Sequence, residues 1–277
     1  MVAPIVTALY VPGDRPDRFD KAVATGAQLV IIDLEDAVSA ERKDLARDAV
    51  VAWLQSPSSD DRVRIDVRVN AGDDDDLAAI AALDRSIGVR LPKVESPSDV
   101  DAAAAVVGTD RPIAVLIETT RGVEAVAEIA SHPAVVAITL GEADLASDLG
   151  TNDEAVLDWV RVRLLVATRA ARRPAPMMSV FPDIADLEGL RADTERGHRM
   201  GFVGRTAIHP AQLPVIVDAF TPPVEDVRWA TEVLAATADG GVGRLETGAM
   251  VDPAMRGRAQ AILALATVLA ERSGEGG

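Results

Sequence analysis

Two alternating periodicities constrain this chain more than any other feature. Short runs of Val, Ile and Leu are each followed by a stretch with apolar residues at helical spacing. The segment PIAVLIETTRGVEAVAEIASHPAVVAITLGEADL, from Pro112 to Leu145, shows the pattern in full. Ile113 to Ile117 is one apolar run and Val135 to Leu140 is the next. Between them Val123, Val126, Ala127 and Ile129 recur as on one helical stripe. Continuous apolar strands alternating with amphipathic helices predict a parallel sheet covered on both faces.

The same unit can be placed eight times. Strands are expected at Ile5–Val11, Gln28–Leu34, Val63–Val69, Val89–Val94, Ile113–Ile117, Val135–Leu140, Met177–Phe181 and Phe202–Ala207. The helix after the second strand, about Ser39 to Leu54, carries Leu45, Ala49 and Trp53 on its expected stripe. Ser56 to Asp61 reads as a loop. The expected fold is α/β, a (β/α)8 TIM barrel with a C-terminal helical extension, and 277 residues suit one such barrel. Residues 1–221 form the expected barrel, and residues 222–277 form an extension read as a lid on a neighbouring subunit. Ser273 to Gly277 reads as a disordered tail.

In parallel α/β folds the chemistry sits beyond the carboxyl ends of the strands. Two adjacent apolar runs deliver acid there, the first Glu118, the second Glu142 and Asp144 just past Gly141. Glu118 and Asp144 at one rim suit Mg²⁺, which takes one or two carboxylates and leaves its other positions to water or substrate. Acids also favour helix N-termini, so a capping role fits the same positions. The second strand ends Asp33-Leu34-Glu35-Asp36, and strand alternation puts Asp33 and Glu35 on one face. Arg68, at an otherwise apolar strand end, calls for a carboxylate from a ligand or from the protein. Arg15, Arg18 and Lys21 gather where a helix starts and suit either phosphates or water. Asp73 to Asp76 reads as a solvated helix start. His132 and His198 read as surface or structural residues, and His209 as a core imidazole or an acid–base group.

Composition removes several classes. There is no cysteine, hence no disulfide, thiolate metal site or cysteine nucleophile. A net charge of −16 argues against binding nucleic acid through phosphates. No apolar run reaches the roughly 20 residues that span a bilayer, and no signal peptide is evident. These features predict a soluble, cytoplasmic protein with neither nucleic-acid nor membrane partners. Only three basic residues are lysine, Lys21, Lys43 and Lys93, which marks them out in an arginine-rich chain.

The chain also carries a series of motifs in order: YVPGDRPDRFDKA at Tyr10–Ala22, DLEDAV at Asp33–Val38, RVN at Arg68–Asn70 and LPKVES at Leu91–Ser96. IET at Ile117–Thr119, GEADL at Gly141–Leu145, GF.GR..IHP.Q at Gly201–Gln212 and MVD at Met250–Asp252 complete it. In order and spacing these resemble the citrate lyase β-subunit-like members of the HpcH/HpaI aldolase family, which includes malyl-CoA lyases. The resemblance implies a TIM barrel that binds Mg²⁺ and an acyl-CoA and makes or breaks a carbon–carbon bond beside the thioester. By motif, Glu118 and Asp144 match metal ligands, and Arg68 matches the arginine that grips the keto acid carboxylate. Tyr10, Arg15 and Lys21 match coenzyme A contacts. Asp252 matches a catalytic aspartate supplied by a neighbouring subunit of a homo-trimer or hexamer. Arg68, Glu118 and Asp252 are thus the implied catalytic set, with Arg68 and Glu118 also touching substrate.

The expected activity is a carbon–carbon lyase or synthase on a β-hydroxyacyl-CoA, giving acetyl-CoA (or a related acyl-CoA) and a keto acid. A citrate lyase β subunit within a larger complex, an acyl-CoA thioesterase, a non-catalytic CoA-binding barrel and a CoA-independent pyruvate aldolase are the alternatives. The chain departs from the family pattern at Tyr10, where many members have Phe, at Gly204-Arg205, where Gly-Lys is common, and at Pro253. Pro253 holds Asp252 to extended backbone.

Overall fold

The computed structural model describes residues 4–56 and 63–273. The expected loop from residue 57 and the tail from residue 274 lie outside the described residues. The chain falls into two compact units, Ile5–Ile216 and a mainly C-terminal one that takes in Pro4 and the chain from Val217 onward.

The first unit contains seven parallel strands. They are β1 (Thr7–Pro12), β2 (Leu29–Asp33), β3 (Arg64–Arg68), β4 (Gly88–Leu91), β5 (Ile113–Ile117), β6 (Val135–Leu140) and β7 (Arg205–Ala207). Their order in the sheet is β6-β5-β4-β3-β2-β1-β7. Met177 bridges to Thr139 of β6 and Met178 bridges to Arg205 of β7, both parallel, so these two residues join the two edges of the sheet. The fold is a TIM-type barrel whose eighth strand position is two residues long. The expected strand at Met177–Phe181 is cut short because Pro174, Pro176 and Pro182 bring no N–H to a ladder. Ser179 supplies side-chain bonds instead: its hydroxyl donates to the Leu140 carbonyl and accepts from the Glu142 N–H at 3.3 Å.

The helices are α1 (Phe19–Val23), α2 (Lys43–Leu54), α3 (Asp74–Ala81), α4 (Pro97–Val107), α5 (Thr120–Ser131), α6 (Glu142–Leu149), α7 (Glu154–Ala170), α8 (Leu187–Met200) and α9 (Gln212–Phe220). β2 and β5 are buried along their whole length, as strands covered on both faces must be. In α5 the buried stripe is Gly122, Val123, Val126, Ile129 and Ala130, so Ala127 of the expected stripe faces outward. In α2 the buried residues are Ala46 and Val50, and Leu45 is 66% exposed. Trp53 leans instead on Phe19, ring centroids 5.2 Å apart, and donates to Asp20 at 2.8 Å. The barrel interior is partly polar: buried Arg90 of β4 pairs with Asp66 of β3 at 3.1 Å and donates to Thr139 of β6 at 3.0 Å.

The C-terminal unit holds α10 (Val224–Ala236), a short antiparallel pair β8 (Gly243–Arg244) and β9 (Met250–Val251), and α11 (Arg256–Ser273). Ala230, Val233, Leu245, Val251 and Ala259 make its core. Arg256 closes the end of α10 by donating to the Thr237 carbonyl at 2.9 Å and the Leu234 carbonyl at 3.2 Å.

The acidic run at 73–76 divides into two roles rather than facing water as one. Asp73 caps α3 by accepting from the Asp75 and Asp76 N–H groups. Asp76 is fully buried; it accepts from Arg47 at 2.6 Å, the Asn70 N–H at 2.9 Å and the Asn70 amide at 2.7 Å. Asp76 therefore fastens the segment that leaves Arg68. Asp76→Ala leaves the Asn70 N–H and amide without their acceptor, while Arg47 keeps Asp44 and Asp73, and is expected to cost about 1–3 kcal/mol in denaturant unfolding. Asp74→Ala, on an exposed position, is the control and should fall within about 0.5 kcal/mol.

Candidate active site

The carboxyl ends of β1 to β6 bring the acids to one rim. β2 and β3 lie in register with Asp33 opposite Arg68, and this juxtaposition makes an ion pair. The Arg68 guanidinium grips Asp33 with both prongs, Nε to Oδ1 at 2.7 Å and Nη2 to Oδ2 at 2.5 Å. Its Nη1 lies 2.9 Å from Glu35 Oε2 and donates to Asp36 Oδ2 at 3.1 Å. The Tyr10 ring stacks under the guanidinium, 4.9 Å from its centroid. Of the two partners the sequence allowed for Arg68, the protein itself supplies one. These contacts still leave at least one of its five N–H groups for a ligand.

Glu118 follows the last residue of β5 and is 1% exposed. It does not cap α5: Thr119 does so by accepting from the Gly122 N–H at 3.1 Å. One carboxylate oxygen of Glu118 accepts from the Lys93 N–H at 2.7 Å. Lys93 reaches that position in the left-handed region, φ 51°, where non-glycine residues are uncommon and concentrate at functional sites. It lies two residues beyond β4 rather than inside the expected strand. Its ammonium is ion-paired with Glu35. The second Glu118 oxygen lies against Gly141, where a β-carbon would overlap it. Only glycine lets the end of β6 come so close.

Burial pushes the Glu118 carboxyl up to about 7; the Lys93 N–H opposes this, while the charges of Glu35 and Asp144 add to it. Burial and Asp36 raise Glu35 too, against the pull of Lys93 and Arg68. Asp144 is exposed in the first turn of α6, whose N-cap, Gly141, offers no side chain. The charge of Asp144 is felt at this buried acid, and a hard divalent cation suits two such carboxylates. Among the described residues no three His, Cys, Asp or Glu side chains form a ready-made cage. Glu118 and Asp144 would supply the two protein oxygens that Mg²⁺ usually takes.

Arg15 pairs with Asp17 at 2.9 Å, and Arg18 and Lys21 are exposed around the start of α1. Asp252 is exposed in the C-terminal unit, where it caps the turn at Pro253–Met255 by accepting from the Ala254 N–H at 2.9 Å. Its backbone is extended, φ −132° and ψ 172°, as a residue before proline should be. His209 is exposed rather than a core imidazole, and its Nδ1 accepts from the Ala211 N–H. Sequence reasoning did not assign Glu35 and Lys93 to the Glu118 site, nor find the partner of Glu142. The scarcity of lysine was the available signal. Two of the three lie here, Lys43 donating to the Leu34 and Glu35 carbonyls at 2.7 and 2.6 Å.

Residues 7–210 match the model of the HpcH/HpaI aldolase/citrate lyase family. The chain belongs to that family. A (3S)-malyl-CoA thioesterase of Cereibacter sphaeroides is 36% identical over 240 residues, 84% of this chain and 83% of the relative. An L-malyl-CoA/beta-methylmalyl-CoA lyase of the same species is 30% identical over 302 residues, covering 94% of each. The crystal structure of CitE from Mycobacterium tuberculosis in complex with magnesium, acetoacetate and coenzyme A superposes with a TM-score of 0.79 at 35% identity. It covers 96% of this chain and 99% of that one. Within the family chain described here, no helix among the described residues is long and apolar enough to cross a membrane.

The Glu118 carboxyl sets a pH dependence. It holds its proton more tightly folded than unfolded, so the metal-free protein loses stability as pH rises from about 4.5 to about 7. Glu118→Gln removes this penalty. In chelator, the variant should melt above the parent at pH 8, by up to about 3 kcal/mol of stability, and the gain should vanish near pH 4.5.

Proposed function

We propose that the protein is a Mg²⁺-dependent enzyme acting on a β-hydroxyacyl-CoA thioester, cleaving it to acetyl-CoA (or a related acyl-CoA) and a keto acid, or running in reverse. The observation that carries this reading is Glu118, a buried carboxylate at the end of β5, with Asp144 in the first turn of α6 near enough for its charge to act on it. The CitE complex with magnesium, acetoacetate and coenzyme A supports it from outside the chain.

Glu118 and Asp144 hold the Mg²⁺ in this reading. When bound, the ion supplies Lewis acidity at the carbonyl of the keto acid. Arg68 spends its remaining N–H on the keto acid carboxylate, and Asp33 keeps its guanidinium from turning. Tyr10 carries Arg68 on its ring face, so its part in holding coenzyme A is as a wall near the acyl end. Arg15 and Lys21 meet the phosphates. In cleavage a carboxylate base removes the proton of the β-hydroxyl. The bond between the α- and β-carbons then breaks, its electron pair moves onto the α-carbon of the thioester, and a proton returns there.

Asp252 is the base in this proposal, reached from a neighbouring subunit of a trimer or hexamer, with residues 222–277 as the lid that carries it. Its exposure and its place on a short cap support such a use. A second reading, hydrolysis of the thioester, is favoured by the thioesterase relative at 36% identity. The same site would then direct water at the acyl carbonyl.

An assay on a panel of malyl-, citramalyl- and citryl-CoA, with Mg²⁺ or with chelator, separates the readings. Release of keto acid with acetyl-CoA supports the lyase; release of free CoA without keto acid supports the thioesterase; silence in both points to a complex-dependent citrate lyase β subunit or a non-catalytic CoA-binding barrel. Glu118→Gln should lower turnover about 10²–10³-fold, and Arg15→Ala should weaken CoA binding while leaving the fold intact. Asp252→Asn should also be inactive, and mixing it with Glu118→Gln protein should restore part of the activity. No recovery on mixing would remove the shared-site proposal.

A further inference from the structure

We infer that Arg161 of α7 is a positioning residue for metal binding: by gripping Glu142 it fixes the first turn of α6 and so aims Asp144. This rests on the proposed role of Asp144 as a metal ligand.

Glu142 and Asp144 start the same helix, yet their side chains do different work. Glu142 is taken by Arg161, which is 3% exposed: Nε meets Oε1 at 2.8 Å and Nη2 meets Oε2 at 2.5 Å. That two-pronged pair has a fixed plane and a fixed direction. α6 needs such a fixture. Its N-cap is Gly141 and makes no side-chain cap bond, so nothing of the usual kind sets how the helix leaves β6. Backbone bonds hold the same turn more loosely: the Glu142 N–H donates to the Ser179 hydroxyl at 3.3 Å and the Gly141 N–H to the Ile117 carbonyl at 3.0 Å.

The opposite side of Arg161 is braced. Its Nη1 donates to Glu154 at 2.8 Å and Asp158 at 2.7 Å. Arg196 of α8 bonds the same two acids at 2.7 and 2.6 Å and reaches Asp193 at 3.1 Å. Asp193 meets the buried Arg205 of β7 at 2.5 Å. The network therefore anchors Arg161 within its own helix, to α8 and through it to a barrel strand, and Glu142 is the end two residues from Asp144. Partners that orient ligands from behind typically contribute 10–100-fold in metal affinity.

The test is Mg²⁺ binding by calorimetry at pH 8 with no substrate, with melting temperature recorded for each variant. Asp144→Asn is the reference and should abolish binding. Arg161→Lys keeps the charge but cannot form the fork, and Glu142→Gln keeps the shape without the charge; each should weaken Mg²⁺ at least tenfold. Glu154→Gln removes a brace on the far side and should lower the melting temperature with Mg²⁺ affinity within twofold of the parent. The double variant Glu142→Gln with Arg161→Lys should bind no more weakly than the worse single. Arg161→Lys and Glu142→Gln binding within twofold of the parent would overturn the inference, even if both melt lower. Loss in Glu142→Gln alone would also overturn it, since Glu142 would then be a ligand itself. If Asp144→Asn binds Mg²⁺ like the parent, the metal reading fails, and the inference with it.

Discussion

Carboxylates gathered at one rim repel one another, and Arg68 is what lets them stay. Asp33, Glu35 and Asp36 all lie within ion-pair distance of its guanidinium. A buried arginine with good geometry can repay the desolvation of its partners; removing it would leave at least two buried acids exposed to each other's charge. Lys93 carries the compensation one step further, reaching Glu35 with its side chain and Glu118 with its backbone. The chain of contacts stops there. Glu118 remains acid-rich on one side, and that imbalance makes a cation the natural partner of the cluster. The rim is thus half neutralised by the protein, with the remaining charge left for a ligand.

Much of this was legible in the sequence because strand ends are legible. Apolar runs that break into acid place Glu118 and the acids after Gly141 at the same end of a parallel sheet, and the structure has them there. The barrel followed from the same alternation. What the sequence could not carry was lateral register. That Asp33 stands opposite Arg68 depends on how β2 aligns with β3, which no local pattern states. The expected stripe in α2 was one residue out, because Leu45 and Ala46 differ by only about a quarter turn, and Phe19, which draws Trp53 inward, is distant in sequence. The buried acid in the run at 73–76 was hidden for a related reason: its partner Arg47 lies on α2.

The overall charge of −16 reflects 44 acids against 28 basic residues, and burial does not change that balance. Arg68, Arg90, Arg111, Arg161 and Arg205 are all buried. Arg111 shows the extreme, with donors spent on the carbonyls of Asp84, Ile87 and Leu83 rather than on an acid. Arginine suits this work, since its fork stays charged in places where a lysine would release its proton. Asp33, Glu35, Asp66, Asp76 and Glu118 are buried as well, so the surface stays acidic, and an anionic ligand must find the basic groups around α1 against that field.

The barrel has a seam. Where the other strands share ladders of three or more residues, Met177 and Met178 hold the two edges together with one bridge each, aided by the Ser179 side chain. Closed barrels resist fraying because they have no free edge, and a joint this narrow restores something close to one. Breathing motions of the closed sheet should begin along this line, so hydrogen exchange would report it as the first part of the barrel to open. The seam adjoins Glu142 through Ser179, which couples the least tightly held part of the scaffold to the helix that bears Asp144.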